Sequence, residues 1–163
     1  MGKNLIVPEK SREVDIWMGY IDSLAGRIGE QYRAAKSDED LDRIQGGLYT
    51  AKERKLILQA FAKMDAMKPD LQTSGGGDPE FYAQLLEYYA GTCSRLGMEL
   101  VYLGESQKAR EAYNRAFSVT TNRETLFKLW NEYARTLMNV KANAEAAEII
   151  NMLMRQELPN SLR

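Results

Sequence analysis

Two stretches of this chain carry the same arrangement of small and bulky residues. Residues 93 to 113 read Cys93-x2-Leu96-Gly97-x2-Leu100 and then Ala109-x3-Tyr113, with Ala116 three further on. The pattern returns 37 residues downstream as Trp130-x2-Tyr133-Ala134-x2-Leu137 and Ala146-x3-Ile150, with Leu153 three further on. Spacings of three and four place residues on one helix face, so each block requires two helices joined by a short turn. Gly97, Ala109, Ala134 and Ala146 allow the backbones to approach, while Trp130, Tyr133, Tyr113 and Phe117 fill the space between adjacent helices.

The rest of the chain is also helical by pattern, with no alternating β-branched run bounded by turns. Ser11 is expected to cap a helix from Arg12 to about Lys36 with a stripe of Val14, Trp17, Ile21, Leu24 and Ile28. Ser37 and Asp40 form a capping-box pattern that starts a second long helix near Asp38, carrying Leu41, Ile44, Leu48, Ala51, Ile57, Phe61 and Met64 and able to kink at Gly46-Gly47. Asp78-Pro79-Glu80 starts a third, expected to run to about Leu103, because Asp caps free amides and proline fits the first turn. Three more are expected at roughly 105–120, 124–140 and 143–157, separated by Gly104, "TTNRE" and "KANAE". The predicted fold is therefore all-α with about six helices: an N-terminal αα-hairpin over 1–70, a glycine-rich linker over 71–78 containing "SGGGDP", and a four-helix segment over 79–163.

The two blocks resemble the tetratricopeptide repeat, a helix-turn-helix with W-x2-L-G-x2-Y in its first helix and A-x3-F in its second. The resemblance covers residues 90 to about 156 and departs from the pattern in three ways. The displacement is 37 rather than about 34 residues, Cys93 stands in the tryptophan place of the first unit, and no proline closes that unit. Trp17-x2-Tyr20 does not make a third unit, since no small-residue helix follows at the required distance. Two units fall short of the three or so that form a self-sufficient solenoid, so the N-terminal hairpin or another subunit is expected to act as cap.

Composition removes most chemistry. The chain has no histidine, which excludes Ser-His and Cys-His pairs and the usual nitrogen ligand of zinc. Glu-x-x-His di-iron sites are closed for the same reason. A single cysteine, Cys93, excludes an internal disulfide and reads as a compact core residue. Asp38, Asp40 and Asp42 have calcium-loop spacing, but Arg43 stands where the turn glycine belongs and Tyr49 where the closing glutamate belongs. "SGGGDP" lacks the Gly-Lys-Ser/Thr of a phosphate loop. Neither an enzyme activity nor a cofactor is expected.

Net charge is −1, from 22 basic and 23 acidic residues, which is not the balance of a nucleic-acid polycation. Met1-Gly2 is not a myristoylation signal, because Ile6 replaces the required Ser or Thr. With no apolar run near the roughly 20 residues a bilayer span needs, a cytoplasmic location is expected.

The tetratricopeptide resemblance implies an inner surface made by the first helix of each unit. In the second unit this is the polar stripe Lys128, Asn131, Arg135 and Asn139, suited to an acidic or C-terminal peptide segment of a protein partner. The first-unit counterparts include Met98, Val101 and Tyr102, a hydrophobic docking strip if exposed and core if the N-terminal hairpin covers it. The expected function is a non-enzymatic interaction module, an adaptor or scaffold in a cytosolic assembly. The alternative is an accessory subunit forming homo- or hetero-oligomers through Trp17, Ile21 and Leu24 on the long N-terminal helices. A third reading, weak nucleic-acid binding, rests on Lys52, Arg54 and Lys55 and is set against a plain solvated helix face.

Overall fold

A computed structural model of the protein describes residues 9–73 and 75–155, with side chains described for 15–44, 47–73 and 75–155. All regular structure among the described residues is helical: α1 (Glu9–Ala34), α2 (Asp38–Gly46), α3 (Ala51–Ala62), α4 (Met64–Met67), α5 (Pro79–Tyr102), α6 (Ser106–Val119), α7 (Arg123–Asn139) and α8 (Asn143–Met154). The all-α class and the four C-terminal helices agree with the sequence reading. Ser11 is already inside α1, which is under way by Glu9, so the helix start expected at Ser11 lies further upstream. Met1, Gly2 and Ile6, the side chain of Val14, and the last residues of the segment expected to end at 157 lie outside the described residues.

Side-chain caps account for the starts of α2, α3, α5 and α7. Ser37 Oγ accepts from the Asp40 amide at 3.1 Å, and Asp40 Oδ2 accepts from the Lys36 amide at 3.0 Å, which accounts for the acidic run as helix capping. Asp78 Oδ1 accepts from the Glu80 and Phe81 amides with Pro79 in the first turn. Asn122 Oδ1 does the same for Glu124 and Thr125 at 2.9 and 3.1 Å.

The second long helix expected from Asp38 is in fact broken. It stops at Gly46 and Gly47, Leu48 and Tyr49 leave helical geometry and become buried, and α3 restarts after Thr50. Thr50 and Glu53 form a full capping box, with reciprocal bonds of 2.9 and 3.1 Å. Such a cap stabilises a new helix start by about 1 kcal/mol, which compensates for dividing the helix. Across the break Arg27 of α1 donates to Glu53 Oε2 at 2.7 Å and to the Leu48 carbonyl at 2.9 Å, while Lys63 lies 5.9 Å from the Trp17 ring centre. These contacts run in opposite directions along the two elements, so α1 and α3 are antiparallel.

One hydrophobic cluster extends from Met18 to Ile149, crossing the glycine-rich run at 71–78. The described residues of that run are tied by hydrogen bonds: the Gly77 amide donates to the Leu71 carbonyl at 2.8 Å, and Asp70 Oδ1 receives the Gln72 and Thr73 amides. Ile21, Leu24 and Ile28 point into this core, where α1 packs mainly against α5. Ile21 and Leu24 are thereby consumed inside the chain, which corrects their expected role as an association surface.

The two repeated blocks become two helical pairs, α5–α6 and α7–α8. Each pair turns on a residue in the left-handed region, Gly104 at φ 81 and Lys141 at φ 61. Each turn closes with the same bond one unit apart, Glu105 amide to Leu100 carbonyl and Ala142 amide to Leu137 carbonyl, both 2.9 Å. Gly97 is required by packing, since a Cβ there would stand 2.6 Å from the Tyr113 ring. Tyr113 stacks on Tyr133 at 4.2 Å and Phe117 on Trp130 at 4.5 Å between ring centres, locking α6 to α7.

Contacts from one helical pair to the next span nearly equal sequence separations. Tyr102 meets Asn139 across α5 and α7 at a sequence separation of 37, and Arg110 meets Glu148 across α6 and α8 at 38. On the other side of α5, Tyr32 stacks on Tyr102 at 4.7 Å and Asp22 pairs with Arg95 at 3.2 Å. The helices α1, α5 and α7 therefore lie side by side and parallel.

Candidate functional site

On α7 the residues buried toward α5, α6 and α8 are Leu126, Leu129, Trp130, Tyr133, Ala134, Thr136 and Leu137. The remaining arc carries the polar stripe. Lys128 and Arg135 are exposed, and Asn131 and Asn139 are half-buried. Lys128 lies 3.7 Å from Glu124, both side chains being largely in water, so this pair constrains the lysine little. Asn139 Nδ2 donates to the Tyr102 hydroxyl at 3.2 Å, which ties it to α5 and takes one of its donors away from any ligand.

The counterpart strip on α5 is not a surface. Tyr102 is buried between Tyr32 and Asn139, Val101 is buried, and Met98 is half-buried against the core. The docking strip conceived around Met98 and Tyr102 is closed by α1, whose aromatic stack leaves no room for an occupant. Of the six residues proposed from sequence, Lys128, Asn131, Arg135 and Asn139 share one outward face, and Met98 and Tyr102 build the fold beside it.

Two features escaped the sequence reading. Large apolar residues are exposed as well, Phe127 and Met138 beside the stripe on α7, and Ile150 and Met154 on α8. Their apolar character is plain in the sequence, and alignment of the two units by 37 residues is the signal that would have shown their importance. The second feature is Glu99, fully buried on α5 within the run "GMELVY". It receives a short hydrogen bond from the Tyr49 hydroxyl, while its other oxygen has no partner among the described residues. Burial pushes its carboxyl up to about 7, against the opposing pull of the Tyr49 hydrogen bond and the nearby Arg27 guanidinium.

Elsewhere chemistry is sparse. Burial pushes the Cys93 thiol up to about 12, holding it protonated and unreactive. Among the described residues no three His, Cys, Asp or Glu side chains gather as a metal site. Open depressions among the described residues include one of about 370 Å³ between α1 and α2 beside the Asp40–Arg43 ion pair, and one of about 400 Å³ along α6 at Glu111, Asn114, Arg115 and Ser118. Lys52, Arg54 and Lys55 are exposed on the first turns of α3. No described helix is long and apolar enough to cross a membrane.

Comparisons with protein-family models, with curated proteins and with solved structures found no match to this chain.

Proposed function

We propose that this chain is a non-enzymatic protein–protein interaction module, a tetratricopeptide-like array acting as adaptor or scaffold within a cytosolic assembly. In this reading α5–α6 and α7–α8 are the two units, and α1 with α3 occupies the place of a preceding unit against α5. The observation that carries it is the outward face of α7, where the exposed cations Lys128 and Arg135 lie beside the exposed apolar residues Phe127 and Met138. Cationic and apolar side chains on one exposed face suit a partner segment that offers carboxylates beside apolar anchors. The near-equal separations of 37 and 38 residues across α5–α7 and α6–α8 support the repeat reading.

Co-purification from native cells with the wild-type chain and with Lys128→Glu/Arg135→Glu tests it. The double variant is expected to lose a defined protein partner while helicity and melting stay unchanged. Identical sets of co-purified proteins would remove the stripe from the mechanism.

A further inference from the structure

The two units differ at equivalent positions in a way that exposes one end of the stack. In the first unit Ala90, Val101, Tyr113 and Phe117 are 3 %, 6 %, 0 % and 0 % exposed. Their counterparts 37 residues on, Phe127, Met138, Ile150 and Met154, are 47 %, 53 %, 37 % and 80 % exposed. Tyr113 and Phe117 are covered by the rings of Tyr133 and Trp130 from the following first helix. Ile150 and Met154 stand where a further helix, parallel to α7, would lie. Such a helix would have Lys128 and Arg135, two turns apart, along one edge of its seat.

The chain itself carries a helical segment of matching character. The first turns of α5, residues 79–88, precede the repeated block and have no counterpart before α7. Their exposed face bears Phe81 and Tyr88, 46 % and 47 % exposed, and beside them the exposed Glu80 and Glu87. The Tyr88 hydroxyl donates to Asp22 at 3.3 Å, which tethers the half-exposed ring to α1. Glu80 and Glu87 are seven residues apart, as are Lys128 and Arg135. At about 100° per residue the charged line on α7 lies clockwise of its apolar line and on α5 the order is reversed. Two parallel helices that face each other then bring charge opposite charge and apolar opposite apolar; antiparallel helices would cross them. Parallel is also the relation among α1, α5 and α7.

We infer that a second copy of this chain docks here: the α5 segment 79–88 of one copy seats on the open α7–α8 face of the next, with Glu80 and Glu87 opposite Lys128 and Arg135 and with Phe81 and Tyr88 over the apolar residues. This rests on the reading of the α7 face as a docking surface and names its partner. The contact joins different surfaces, so it propagates head to tail instead of closing as a two-fold dimer.

Sedimentation of the purified full chain from micromolar to millimolar concentration tests it. The wild type is expected to associate in steps, more weakly at high salt. Lys128→Glu/Arg135→Glu and Glu80→Lys/Glu87→Lys are each expected to weaken association at least about tenfold. An equimolar mixture of the two variants is expected to regain it, because each contact between unlike variants is again between opposite charges. Circular dichroism checks that both variants are folded, and the regained association makes the same point. A wild type that stays monomeric, variants that associate as well as the wild type, or a mixture that stays dissociated would each overturn the second copy as occupant. If a monomeric chain still lost its co-purified partner on Lys128→Glu/Arg135→Glu, self-docking would fail while the interaction-module reading stood. If the chain self-associated through these charges but captured the same proteins in both forms, the reverse would hold.

Discussion

The N-terminal and C-terminal halves are held together by different kinds of contact. Between α5 and α8 the main joints are steric, with a few polar bonds such as Tyr102–Asn139 and Tyr113–Glu132 beside them: Gly97 admits the Tyr113 ring, and stacked aromatics fill the space between α6 and α7. From α1 to α4 many joints are polar and specific. Arg27 bridges to Glu53 and the Leu48 carbonyl, Tyr49 reaches Glu99, Tyr89 donates to the Met64 carbonyl at 3.0 Å, and Arg115 grips Asp65 with bonds of 2.6 and 3.1 Å. Steric joints tolerate pH and fail by volume change. Polar joints tolerate small volume changes and respond to protonation.

Trp130→Ala should give the largest effect, removing the ring stacked on Phe117 at the centre of the steric half. A loss of about 3–5 kcal/mol is expected by denaturant unfolding. A loss below 1 kcal/mol would mean that this stack does not hold the units together.

The polar half should reveal itself through pH. Glu99 has a folded pKa of about 7 against an ordinary 4.5, so the folded state holds this proton more tightly than the unfolded chain. Its contribution is therefore fully present below 4.5 and is lost as pH rises through 7. The groups that face it are Tyr49 from the α2–α3 connection, Arg27 and Tyr20 on α1 and Glu53 on α3; Tyr102 is a neighbour on its own helix. Burial also raises Glu132, on α7, which adds in the same direction. Stability between pH 5 and 8 should fall by on the order of 2–3 kcal/mol, and Glu99→Gln should flatten most of that slope. At more acid pH the trend reverses, because Asp65 and Glu53 are held below their ordinary range by Arg115 and Arg27. An unchanged slope in Glu99→Gln would place the pH sensitivity elsewhere.

One substitution made in both halves sharpens the contrast. Gly97→Ala drives a methyl into Tyr113 and should destabilise by about 1–3 kcal/mol. Gly19→Ala on α1 meets nothing within 4 Å and should stabilise by about 0.5–1 kcal/mol through helix propensity. Equal signs in thermal melts would contradict the steric account of Gly97.

The smallest effect is expected at the second turn. Lys141 takes the left-handed conformation that Gly104 takes one unit earlier. Lys141→Gly should relieve roughly 1 kcal/mol of backbone strain and lose a few tenths with the exposed Lys141–Asp42 pair at 3.1 Å. A small net rise in melting temperature checks this.

Helix starts at Ser37 and Asp78 were legible because a cap is a contact within three residues of sequence. The break at Gly46-Gly47 was legible only as a possible kink. What turns it into an interruption is the departure of Leu48 and Tyr49 into the core, where Tyr49 bonds a residue 50 positions away. Exposure of Lys128 and Arg135 could be read from their place opposite the Trp130–Tyr133–Leu137 stripe. Burial of Tyr102 could not, because it depends on Tyr32, 70 residues earlier in the chain.

Periodicity, caps and small-residue spacing thus determined the helices and the repeated pair, since these act over one or two turns of backbone. The tertiary structure decided which of two equivalent faces is closed. Tyr113 and Phe117 have a following helix to stack upon, while Ile150 and Met154, at the same register, have none among the described residues. Burial belongs to neighbours in space, and no residue's own identity specifies whether a neighbour arrives.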